Sequence, residues 1–90
     1  MNPRPNPGQA ARIRRIQATR RAILTAKKAT QIGKKYGEDH PAAEAANKAV
    51  VKHLQNVTAE GYKEASERGD KKRKEQMRRT HRFLTELMEE

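Results

Sequence analysis

The sequence has no cysteine. Disulfides and thiolate metal sites are therefore excluded, and a disulfide-stapled scaffold with them. Tryptophan is also absent, and Phe83 is the only phenylalanine. A stacking platform for single-stranded nucleic acid needs several aromatic rings on one surface, so base readout by stacking is not expected. Leu, Ile, Val and Phe total 12 of 90 residues. That share lies under the roughly 20% level below which high net charge predicts disorder. A large dry core is excluded, so the fold is thin, or it leans on a partner or a second copy. No apolar run is long enough for a membrane span or a signal-peptide core. Membrane insertion is not expected.

Negative charge is missing from the first 37 residues, which hold ten basic side chains. This is the composition of a mitochondrial transit peptide. Pro3, Pro5 and Pro7, and a basic pattern that continues to Lys35, argue against that reading. Further on, the charge is segregated. Residues 38–67 carry three basic and six acidic residues, residues 68–82 eight and two, and residues 83–90 none and three. The formal net charge is +10. Such asymmetry informs about partners rather than fold.

The punctuation predicts an all-α protein with two arrangements open: an antiparallel helical hairpin or a small three-helix bundle. Residues 1–7 form a Pro-rich extended arm, and residues 8–90 a single helical domain with helices over about 8–36, 41–68 and 70–88. Asn6, Pro7 and Gln9 resemble a capping box with Asn in the cap position. Gly37 is a left-handed stop, and Pro41 suits the first turn of a second helix, with His40 in the turn or at the cap. Gly69-Asp70 reads as a stop followed by a cap, which favours three helices over one long arm.

What is abundant is basic doublets: Arg14-Arg15, Arg20-Arg21, Lys27-Lys28 and Lys34-Lys35. At 3.6 residues per turn, Arg14, Arg21, Lys28 and Lys35 form one column and Arg20, Lys27 and Lys34 a second, about 100° away. The opposite face is expected to hold Ile16, Thr19, Ala22, Ile23, Ala26, Ala29, Thr30, Gly33 and Tyr36. A helix that was merely soluble would interleave acids to gain i,i+4 pairs. Their absence calls for an external counter-charge, and phosphates supply one. A second cluster, Lys71, Lys74, Arg78 and Arg82, falls on one side of the last helix.

The expected function is therefore non-enzymatic binding of nucleic acid, DNA or RNA, through its phosphate backbone. The expected setting is a larger nucleoprotein assembly, cytoplasmic, with association to a nucleoid, ribonucleoprotein or virion. The alternative is a scaffold or virion-type protein that oligomerises through helices and docks on an acidic protein surface. Phe83, Leu84, Leu87 and Met88 are bunched at the C-terminus, either as core or as a self-association or docking patch. Facing the first helix is a stripe of Ala43, Ala46, Val50, Leu54, Val57, Gly61 and Ala65. Glu60, Glu64 and Glu67 form an acidic stripe, read as solvated or as paired with another copy. His40, His53 and His81 match no metal spacing. No Gly-rich phosphate loop, nucleophile elbow or carboxylate pair is present. No metal, cofactor or small-molecule substrate is expected.

Overall fold

A computed structural model of the chain describes residues 8–89. Three helices follow in order: α1 (Gln9–Tyr36), α2 (Pro41–Arg68) and α3 (Lys71–Glu89). No strand occurs among the described residues. The fold is all-α, a small three-helix bundle opened into a layer.

Local chemistry sets the joints. Gly37 ends α1, and its N–H donates to the Gly33 carbonyl. His40 caps α2: its Nδ1 accepts from the Ala42 N–H at 3.0 Å, and Pro41 takes the first helical position. The imidazole also stacks on Tyr36, with ring centroids 5.0 Å apart, which braces the turn. Gly69 adopts φ +73°. Its N–H donates to Ser66 O, and the Asp70 N–H donates to Ala65 O at 2.9 Å. These are the two bonds of a Schellman stop. Asp70 Oδ1 then accepts from the Arg73 N–H at 3.0 Å and starts α3. The long-arm hairpin is thereby ruled out. The other end of the chain departs from expectation. Asn6 and Pro7 lie outside the described residues, as does the Pro-rich arm. Helix α1 begins at Gln9, after Gly8 at φ +80° with no side-chain cap.

Both α1 and α3 pack on α2 and not on each other. The result is a layer measuring 54 × 29 × 14 Å between Cα atoms. Its α1–α2 seam is built from small residues: Ala11, Ala22 and Ala29 meet Ala43 and Ala65, all buried. Small side chains let the axes approach but bury little area, so each contributes little at about 25 cal/mol per Å². Leu84 is the only large apolar side chain that is buried among the described residues. At the α2–α3 seam, Gly61 makes room for Met77, whose Sδ would lie 2.8 Å from a Cβ at that position.

Two expectations are corrected here. Ala22 and Ala29 of the predicted arc are buried, but the inner side of α1 is rotated from the centre of that arc toward Ala11. Ile23 and Tyr36 are each about half exposed, and Thr30 is exposed. The Arg15–Glu64 ion pair lies at the same α1–α2 contact. The C-terminal patch is not core as a unit either. Leu84 is inside, while Phe83, Leu87 and Met88 remain exposed, since α1 packs on α2 and not on α3.

Candidate nucleic-acid interface

Helix α1 holds the basic doublets on a rod about 42 Å long, at 1.5 Å per residue over its 28 residues. The alanine seam fixes its rotation. The column Arg20, Lys27 and Lys34 then lies nearly opposite α2, at the outer edge of the layer. Arg21, Lys28 and Lys35 lie on one flank of that edge. All six side chains are exposed. Among the described residues, none of the six forms an ion pair within the protein. Lys35 Nζ sits 5.2 Å from the Tyr36 ring centroid. Lys34 and Lys35 also occupy the last turn, where cations complement the helix dipole. The other four have no such local role.

The first doublet is placed differently. Arg14 Nε donates to Glu60 Oε2 at 2.9 Å, with the arginine half exposed. Arg15 Nε donates to Glu64 Oε2 at 2.6 Å, where the glutamate side chain is only 6% exposed. Burial of Glu64 opposes its ionisation. The Arg15 hydrogen bond and the charges of Arg15, Arg68 and Arg73 outweigh that and hold its carboxyl below the usual range. Arg14 and Arg15 thus join α1 to α2. Glu60 and Glu64 belong to that join rather than to a solvated stripe. A register signal was present in the sequence: Arg14-Arg15 and Glu60-Glu64 stand at similar distances from the Gly37–His40 turn.

The second predicted cluster lies on the opposite edge of the layer, since α3 and α1 flank α2. Two of its four members are ion-paired. Arg78 bonds Glu75 through two nitrogens, and Arg79 joins the same carboxylate. The Arg78 hydrogen bond, aided by Arg79, brings the Glu75 carboxyl to about 2 against the opposing effect of desolvation. Arg82 pairs with Glu86 at 3.4 Å. Lys74 Nζ lies 5.2 Å from the Tyr62 ring centroid. Lys71 is exposed and unpaired among the described residues.

A third basic group appears only in three dimensions. Arg12, Arg68 and Arg73 come from three helices and line a cavity of about 300 Å³ around Glu64 and Asp70. No motif marks it, because Arg12 is remote in sequence from Arg68 and Arg73. Among the described residues, no group of three or more His, Cys, Asp or Glu side chains stands ready to hold a metal. No helix among them is long and apolar enough to cross a membrane. Compared with protein-family models, curated proteins and solved structures, the chain matches none.

Proposed function

We propose that the protein binds nucleic acid through its phosphate backbone, along the outer edge of α1, as a component of a larger nucleoprotein assembly. One observation carries the reading: Arg20, Arg21, Lys27, Lys28, Lys34 and Lys35 are all exposed and unpaired among the described residues, on a helix with no acid. Some cations elsewhere are paired, as Arg78 with Glu75 and Arg82 with Glu86, while Lys52, Lys71 and Lys72 are exposed and unpaired among the described residues. What sets α1 apart is that six such cations share one helix without an acid. Leaving six cations together costs self-repulsion, which a polyanion removes. Seven-residue steps place successive members of a column about 10.5 Å apart, so the edge tracks a backbone rather than a single phosphate. Backbone contacts position the protein without reading bases.

The test is a salt series on duplex DNA, duplex RNA and an acidic polypeptide of matched charge. With about six phosphates neutralised, log affinity for duplex DNA falls against log salt with a slope of about −5. A slope near zero, or tighter binding to the acidic polypeptide than to both nucleic acids, contradicts the proposal. The latter result supports docking on an acidic protein surface instead.

A further inference from the structure

We infer that two copies of this chain associate face to face, antiparallel about a two-fold axis, through the open apolar side of the helical layer.

The face follows from α2. At 100° per residue, Asn47, Leu54, Thr58 and Ala65 fall within about 40° of one line along that helix. Cavities open along the same line. Asn47 borders one of about 510 Å³ that reaches Ala26 and Thr30 of α1. It also borders one of about 470 Å³ that reaches Leu87 and Met88 of α3. About 27 Å further along, Ala65 borders the arginine cavity. Leu54 stands between the two ends and is 37% exposed, with Ile23 on the α1 side and Leu87 on the α3 side also exposed. Thr58 and Ala65 are buried and Met77 covers Gly61, so the exposed apolar side chains of the three helices gather around Leu54.

Surface area says how much is left to cover. The chain exposes 7139 Å² at 10.3 kDa. A folded monomer of that mass exposes about 5,400 Å² by the usual scaling. The excess is roughly 1,700 Å², and one partner in a standard interface buries roughly 800 Å². The broad face of the layer, 54 × 29 Å between Cα atoms, is large enough to supply that area.

Charge selects a second copy and its orientation. One end of this face carries Arg12, Arg68 and Arg73. The opposite end carries Glu38, Asp39 and Glu44 against a single cation, Lys48, beside Leu87. Helix α3 repeats the polarity, from Lys71, Lys72 and Arg73 at its start to Glu86 and Glu89 at its end. A face that is basic at one end and acidic at the other is complementary to itself when inverted, as an isologous contact requires. The parallel arrangement would set like charges against each other. Antiparallel pairing leaves Arg20, Arg21, Lys27, Lys28 and Lys35 outside this face, with only Lys34 bordering one of its cavities, so this inference and the nucleic-acid reading fail separately.

Sedimentation equilibrium of the full chain without nucleic acid tests association. The expected result is a reversible rise from 10.3 kDa to twice that mass with concentration. Leu54→Asp should raise the dissociation constant by at least about tenfold while far-ultraviolet circular dichroism keeps its helical signal. Leu24→Asp, on the outer edge of α1, should leave the constant unchanged. If Leu54→Asp loses helix, Ile23→Asp takes its place. Orientation is read by mixing chains with single cysteine labels, which the cysteine-free sequence permits. Donor at Lys72→Cys and acceptor at Glu89→Cys should transfer energy more efficiently than two labels at Glu89→Cys. A monomer at all concentrations, equal loss from Leu24→Asp, or the reverse order of transfer efficiencies overturns the inference.

Discussion

Glu64 is the only buried charged residue among those described, and it explains why Arg15 faces inward. Its carboxylate receives Arg15 at 2.6 Å and lies 3.7 Å from Arg68. Removing Arg15 would leave a buried charge with a single distant partner. Losing one partner of a fully buried pair costs about 3–5 kcal/mol, and the partial exposure of Arg15 reduces this to about 2 kcal/mol for Arg15→Ala. The effect should depend on pH in a definite sense. The folded-state value of Glu64 lies below the ordinary 4.5. The stabilisation from the pair is therefore fully present above 4.5 and is lost as pH falls through the lower folded value. Denaturant unfolding of the native chain and Arg15→Ala at about pH 7 and in the acid range should show the gap shrinking on acidification. A gap independent of pH would mean that Arg15 stabilises through packing alone. The Arg15 role was not legible from the doublet pattern. Nothing in a local spacing tells an arginine that faces solvent from one that meets a carboxylate 49 positions away.

At the scale of elements, the joints were the most legible part of the chain. Gly37, Pro41 and Gly69-Asp70 act through backbone geometry that a few neighbouring residues determine, and α2 runs over 41–68 as read. The rotation of α1 was less legible. Ala, Thr and Ile are spread around much of that helix, so its apolar arc has weak edges, and only the structure shows that Ala11, Ala22 and Ala29 are the buried line. Two glycines separate joint from seam. Gly69 has φ +73°, and a Cβ placed there would meet nothing within 4 Å, so Gly69→Ala should cost about 1 kcal/mol from backbone strain alone. Gly61 is helical but faces Met77, so Gly61→Val should force α3 outward at a cost of about 1–3 kcal/mol from overpacking. Thermal unfolding of both variants, with proteolysis of α3 as a second readout, checks the pair. If Gly61→Val is as stable as the native chain, the α2–α3 seam is looser than its geometry indicates.

For the whole molecule, the governing fact is that three helices form a layer instead of closing on a core. The radius of gyration is 15.8 Å, against about 12 Å for a compact chain of 90 residues. The scarcity of large apolar residues foretold a thin fold. It did not foretell that α1 and α3 would lie on opposite edges, which keeps the two basic clusters apart. That separation makes the proposed interface a matter of place rather than of total charge. The most direct measurement compares two double charge reversals that each change the net charge by the same amount. One is Arg21→Glu with Lys28→Glu, on the flank of the outer edge of α1. The other is Lys48→Glu with Lys52→Glu on α2, where Lys48 lies 3.7 Å from Glu44. Affinity for duplex DNA at fixed salt, with helicity measured in parallel, should fall by more than about a hundredfold for the first pair. The second pair should lose less than about fivefold, since those side chains lie away from the binding edge. Equal losses from the two pairs, with helicity intact, would contradict the account: binding would then follow net charge, and the edge of α1 would have no particular role.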